Sequence, residues 1–187
     1  MEVRLEGDRI ILRPLEEGDS ETLYENVKEY EMARWMINVP HPYPENGAIE
    51  FIKTTQEKMN EGLAYELAIE SKETSEVIGV MSLLKVDNKH RNAELGYWVA
   101  KEHRSEGIAT EAASIILAFG FEVLNLERIY SKCFVDNKPS EKVFEKIGMQ
   151  YEGTFRHEVL KEDRFIDTKY YSILRQEWLK KTGVNSQ

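Results

Sequence analysis

The sequence predicts one α+β domain built on a mixed, mainly antiparallel sheet. Three observations point there. Strand-like runs at Ala64–Glu70, Glu76–Val86 and Asn92–Val99 are separated by the short polar turns SKETS and DNKHR, which are of hairpin length. Only one strand–helix–strand unit, between Asn92 and Val135, asks for a parallel pair. A last pair of runs divided by KED adds another hairpin near the C-terminus. The sum is seven strands flanked by about four helices, an arrangement distinct from a doubly wound parallel sheet.

In order along the chain, Arg9–Leu15 alternates Ile10 and Leu12 against Ile11 and Arg13 and then meets Pro14, which reads as a first strand. Asp19 or Ser20 is the expected cap of a helix to about Glu29, with Leu23 and Val27 on one face. Trp35–Pro44 carries three prolines and is excluded from helix interior. Glu45 or Asn46 opens a second helix, with Ile49, Ile52, Gln56 and Met59 at helical spacing. After the hairpin strands, Ile108, Ala112, Ile115 and Phe119 mark a helix from about Ile108 to Val123. Arg128–Val135 reads as a strand, and Lys138–Ile147 as a short helix stopped by Gly148, where a left-handed residue ends helices. Gln150–Leu160 and Arg164–Arg175 form the last hairpin. The domain is expected to span 1–187, with a core over about 3–179 and a short polar C-terminal tail.

Composition narrows the function. With 187 residues, 41% hydrophobic and 32% charged, the chain resembles ordinary globular proteins and shows no low-complexity tract or internal repeat. The start, MEVRLEGDRIILRPL, lacks a signal-peptide apolar run, and the longest apolar stretch (residues 112–121) is too short to span a bilayer, so a cytoplasmic location is expected. The single cysteine, Cys133, lies in an apolar run and reads as buried packing, not as a nucleophile. His41, His90, His103 and His157 are scattered without metal-ligand spacing, so no metal is expected. The net charge of −9, from 34 acidic and 25 basic residues, argues against nucleic-acid and anionic-membrane partners and permits a cationic substrate such as an amine or a basic protein tail.

The most informative segment is Glu94–Ala112, ELGYWVAKEHRSEGIATEA, where a strand gives way to a helix through a short loop. Backbone N–H groups at such a helix start bind phosphate by hydrogen bonds and by the helix dipole. Gly107 allows close approach, small Ala109 keeps the first turn open, and Arg104 offers a charge-assisted contact. The loop has neither the three glycines of a dinucleotide fingerprint nor the lysine of a nucleotide-triphosphate loop.

Arg104-x-x-Gly107-x-Ala109 is similar to the pyrophosphate loop of the GNAT acetyltransferases. Asn137-x-x-Ser140, followed by Phe144-Glu145-Lys146-Ile147-Gly148-Met149, resembles the next signature of that family. Arg9–Leu15 with Asp19, Pro42-Tyr43, and Asp167, Tyr171 and Leu174 resemble the RimJ/RimL-like ribosomal-protein N-terminal acetyltransferases. The resemblance spans about residues 3–179 and implies a GNAT-like fold in which Asn92–Val99 and Arg128–Val135 splay apart to admit acetyl-CoA.

Residue by residue, the resemblance implies that Trp98 and Val99 donate backbone N–H groups to the pantetheine arm or thioester. It implies that Arg104, Ser105, Glu106, Gly107, Ile108, Ala109 and Thr110 hold the pyrophosphate. Asn137 contacts the cofactor and Ser140 lies near its sulfur, although Asn137 is equally a good N-cap for the helix at Pro139. Glu94 is nominated as the base because alternation puts it on one face with Gly96 and Trp98; a surface carboxylate with a water-relayed proton is the alternative. Trp35 and Tyr43 are candidates to line the acceptor groove. The acceptor is expected to be a primary amine, with a ribosomal or other protein N-terminus first, a small amine second, and a silent acyl-CoA-binding protein third. A homodimer is left open.

Overall fold

The computed structural model describes residues 3–183. Eight strands form one sheet: β1 (Leu5–Glu6), β2 (Ile10–Pro14), β3 (Tyr65–Ser71), β4 (Val77–Asp87), β5 (Asn92–Val99), β6 (Arg128–Phe134), β7 (Gln150–Lys161) and β8 (Arg164–Leu174). Their spatial order is β1-β2-β3-β4-β5-β6-β8-β7. Every neighbouring pair is antiparallel except β5–β6. The expected fold class therefore holds, with the two-residue β1 as the eighth strand.

The helices are α1 (Ser20–Val27), α2 (Tyr30–Ala33), α3 (Gly47–Asn60), α4 (Ile108–Ala118), α5 (Lys138–Ile147) and α6 (Arg175–Thr182). Two cores result. On one face of the sheet, Ile108, Ala112, Ala113 and Ile116 of α4 and Phe144 and Ile147 of α5 pack on Leu67, Met81, Leu83, Ala93 and Leu95. On the other, Leu23, Ala48 and Ile52 of α1 and α3 pack on Leu15, Ala68 and Val80, with Trp98 at the margin. Burying one such Leu or Ile contributes about 1.5–3 kcal/mol, so both faces hold the sheet firmly.

Several local expectations are corrected. The first helix stops at Val27, two residues short of Glu29, and α2 follows as a separate turn. Asp19 does not cap it; its carboxylate accepts from Glu16 N at 2.8 Å and from Arg13. On α3 the buried face is Ala48, Ile52 and Thr55, while Ile49 is exposed, and Gln56 donates to Leu15 O at 2.9 Å. The helix expected to run from Ile108 to Val123 leaves α geometry at Phe119 and ends in a wider π-type turn, Phe119–Val123. Residues Arg175–Thr182, expected as strand end and tail, form α6, which buries Trp178 against Phe121 with rings 5.4 Å apart; residues 184–187 of that tail lie outside the described residues. The last hairpin turns on Glu162 and Asp163, both with positive φ, the geometry that matches the twist of a two-residue turn.

Arg13 fixes the start of the chain. Its guanidinium makes two bonds to Asp19, at 2.8 and 3.0 Å, and a third to Glu70 on β3 at 2.5 Å. Burial pushes the Asp19 carboxyl up, but the hydrogen bonds from Arg13 and Glu16 outweigh it and the net pKa falls below the ordinary value. A depressed carboxylate contributes stability that is present above about pH 4 and is lost as the pH falls through its folded-state pKa. Asp19→Asn should therefore cost about 3 kcal/mol at neutral pH. Thermal melts of wild type and variant at descending pH should show the gap in Tm narrowing through the carboxylate range.

Candidate active site

β5 and β6 pair for three residues only: Asn92 with Arg128, Ala93 with Ile129, and Glu94 with Tyr130. Beyond that point β5 stays with β4 as far as Val99, and β6 stays with β8 as far as Phe134. The two strands are held by different neighbours and diverge, opening a cleft of about 600 Å³ between Leu95–Val99 and Ser131–Phe134. Ala100 N bonds Ile78 O on the β4 side at 2.8 Å, so alternation turns the main-chain groups of Leu95, Tyr97 and Val99 toward the gap. Ser131 Oγ donates to Leu95 O at 2.7 Å, and Arg104 Nε donates to Val99 O at 3.2 Å. The N–H groups of Tyr97 and Val99 are left facing the cleft. Trp98 lines it with its side chain, while its N–H belongs to the β4 side.

The loop to α4 crosses the cleft mouth. Ser105 and Gly107 both have positive φ, 66° and 86°, which curls the loop ahead of Ile108. Arg104, Ser105, Gly107, Ile108, Ala109 and Thr110 line the cleft; Glu106 does not. The Glu106 carboxylate turns back to His103 at 3.6 Å, which keeps a like charge away from an anion at the mouth. The loop is braced from far along the chain. Arg9 Nη1 donates to Glu106 O at 2.9 Å, and Arg9 N and Nε donate to the Glu111 carboxylate at 2.8 and 2.9 Å.

On the opposite wall, Asn137 Oδ1 accepts from Ser140 N at 3.2 Å and caps α5, which leaves the Asn137 amide nitrogen for a ligand. Gly148, with φ of 93°, terminates the helix as its position in the sequence indicates. The Tyr97 hydroxyl lies 3.2 Å from Ser140 Oγ, and burial pushes the Tyr97 pKa up to about 12, so this phenol stays protonated. Cys133 also lines the cleft, and burial pushes its thiol up to about 12, consistent with a packed and unreactive cysteine. Lys138, Lys142 and Lys146 project at four-residue intervals into the same lining, with Lys132, Arg104 and His103 nearby and no Asp or Glu. An acidic protein thus presents a basic cleft suited to a polyanion.

Trp35 lines the cleft together with Met36 and Ile37. Tyr43 does not. Its ring covers the start of α3, where a Cβ on Gly47 would come within 2.8 Å of it, and it packs 6.1 Å from the Tyr24 ring. Glu94 stands at the apex of the split, on the sheet face opposite α4. It lines a neighbouring hollow of about 440 Å³, where Lys85 Nζ holds its carboxylate at 2.7 Å and the Tyr130 hydroxyl lies at 3.5 Å.

The family described as Acetyltransferase (GNAT) domain matches residues 9–150 of this chain. The chain belongs to the GNAT acetyltransferase family. It is similar to the Bacillus subtilis protein named "Putative ribosomal N-acetyltransferase YdaF", at 30% identity over 92% of this chain and 94% of the relative. It is also similar to the spermidine N(1)-acetyltransferase of Escherichia coli K12, at 25% identity over 88% and 82%. Among solved structures, a probable acetyltransferase superposes with a TM-score of 0.86 at 28% identity, covering 94% of this chain and 99% of that one.

As a GNAT enzyme the protein is an acetyl-CoA-dependent N-acetyltransferase. Among the described residues no helix is long and apolar enough to cross a membrane, and no group of three or more His, Cys, Asp or Glu could hold a metal. Sequence reasoning missed Tyr97, the Arg9 brace and the α5 lysines. Only the lysines left a local signal, the i, i+4, i+8 spacing of Lys138, Lys142 and Lys146. Gly107→Val forces a β-branched residue into left-handed backbone and brings its side chain toward the Arg9 guanidinium, 3.5 Å from an added Cβ. Calorimetry should show acetyl-CoA affinity lowered by at least about tenfold, or about 1.4 kcal/mol, with the far-UV circular dichroism unchanged.

Proposed function

We propose that this enzyme transfers the acetyl group of acetyl-CoA to the α-amine at a protein or peptide N-terminus. The donor's pyrophosphate rests on the 104–110 loop, its other phosphate faces the lysines of α5, and its pantetheine arm fills the β5–β6 gap. The observation that carries the acceptor reading is the charge state of the sheet face beside the cleft. Glu94 is paired with Lys85 at 2.7 Å, Glu152 with Arg128 at 2.5 Å, and Glu158 with Lys132 at 3.0 Å. Carboxylates already neutralised in this way give a polyamine little to bind. The aromatic hollow of Tyr130, Tyr170 and Phe155 suits a peptide. The ribosomal designation of YdaF supports the same reading. Transfer to a small amine is the second reading, supported by the spermidine enzyme and by the net charge of −9.

In the reaction, the neutral amine nitrogen bonds to the thioester carbonyl carbon, the C–S bond breaks, and sulfur departs as a thiolate. An α-amine, with a pKa of about 8, reaches its neutral form far more readily than a lysine near 10.4. N–H groups of Tyr97 and Val99 face the gap where the oxyanion forms. The proton lost by the amine passes through water toward Glu94 at the apex. The Tyr97 hydroxyl donates to Ser140 Oγ, which frees the Ser140 proton for the thiolate. Tyr97→Phe keeps the ring that packs on Phe144 but removes this orientation. Turnover should fall about tenfold, about 1.4 kcal/mol in the barrier, with acetyl-CoA affinity unchanged; wild-type turnover would reduce the pair to packing.

The acceptor is tested by competition between an unblocked peptide, its N-blocked lysine-containing twin and spermidine, with mass spectrometry locating the acetyl group. The free N-terminus should have the highest kcat/KM. Faster acetylation of spermidine or of the blocked peptide overturns the N-terminal reading and leaves the acetyl-transfer assignment standing.

A further inference from the structure

The wall that Trp35, Met36 and Ile37 give to the cleft comes from a segment with few anchors of its own. Its local main-chain bonds are turns: Trp35 N to Met32 O at 3.2 Å and Met36 N to Ala33 O at 3.1 Å. A side chain 128 residues away from Ala33 holds it in place. Lys161, the last residue of β7, sends its ammonium into the bend, where it donates to Ala33 O at 2.8 Å, to Met36 O, and to Val39 O at 3.4 Å. The adjoining Glu162 accepts from the Tyr30 hydroxyl at 2.9 Å, and the Tyr30 ring meets His41 edge-on at 5.2 Å. The hairpin tip therefore grips the segment at Tyr30, Ala33, Met36 and Val39.

The chemistry fits a lysine in particular. An ammonium has three donors and no acceptor, matching three converging carbonyls, whereas the planar guanidinium fork of arginine does not converge on a point in this way. Burial among these carbonyls pushes the Lys161 pKa down, as a partly desolvated ammonium requires. The same segment is also tied to the donor loop, since Arg104 Nη2 lies 3.3 Å from Met32 Sδ.

We propose that Lys161 is a positioning residue for the acceptor: by gathering the carbonyls of Ala33, Met36 and Val39 it sets how far Trp35, Met36 and Ile37 stand from the β5–β6 gap, and so which acceptors fit. The acceptor part of this inference rests on the cleft being the site of acetyl transfer; the structural part does not.

The test uses the full chain carrying Lys161→Met, which keeps length and apolar stem but removes the three donors. Hydrogen exchange read by mass spectrometry should rise at least about tenfold in peptides covering residues 33–40 and stay unchanged in peptides covering α4. With the unblocked peptide as acceptor, its KM should rise about tenfold, while kcat falls less and calorimetric acetyl-CoA affinity stays within about twofold. Tyr30→Phe, which removes only the contact to Glu162, should move the same readouts in the same direction by less, and it decides the matter if Lys161→Met does not fold. Unchanged exchange over 33–40, or acetyl-CoA affinity falling in step with acceptor binding, overturns the proposal. If the wild type leaves the peptide unacetylated, the N-terminal reading fails, and the exchange arm still decides whether Lys161 holds the wall.

Discussion

The structure turns on a sheet that is broken in its middle. β5 and β6 share three residues of parallel pairing and then part, because each is bound more extensively by its outer neighbour. An unmade main-chain bond in a buried place costs about 1–3 kcal/mol, so such a gap needs partners. The protein supplies two of them, the Ser131 hydroxyl to Leu95 O and the Arg104 guanidinium to Val99 O. The N–H groups of Tyr97 and Val99 remain facing the gap. The break is a local loss of stability that leaves main-chain groups open to the cleft.

Everything else gathers at this gap for topological reasons. A parallel pair requires a crossover, and here the crossover is α4, whose N-terminus is delivered to the open end of β5. The next helix, α5, leaves the open end of β6 and brings its lysines and Ser140 to the opposite wall. One connection on each side of the split therefore places the glycine-containing turn before α4 and the start of α5 across from each other. Long-range braces then hold these parts, with Arg9 on the loop and Lys161 on the segment that carries Trp35.

Charge is distributed by function. The protein carries a net charge of −9, yet the cleft lining contains lysine, arginine and histidine without a single carboxylate. Acidic residues on the adjoining sheet face are each answered by a base, which leaves aromatic rings as the main unspent surface there. Two of the cleft lysines are themselves paired, Lys132 with Glu158 at 3.0 Å and Lys138 with Glu141 at 2.8 Å, but their carboxylate partners stand outside the lining, so the cleft wall itself presents only basic groups.

The sequence by itself determined the elements whose signals are local. The alternation of Asn92–Val99, the period of the helix after Gly107, the Asn137–Pro139–Gly148 frame around α5 and the loop that joins strand to helix all follow from residues within a few turns of one another. The same locality explains its errors. Asp19 has the chemistry of a cap, but Arg13 claims it; Tyr43 has the look of a groove aromatic, but Gly47 and Tyr24 take it into packing; Arg175–Thr182 is polar, yet Trp178 finds Phe121 and makes it a docked helix. Tertiary structure alone decided the pairing of Tyr97 with Ser140 across 43 residues, of Arg9 with Glu106 across 97, and of Lys161 with Ala33 across 128. Periodicity records which face of an element is buried, whereas these contacts depend on which elements the folded sheet sets side by side, and single hydroxyls, guanidinium and ammonium groups leave no periodic trace.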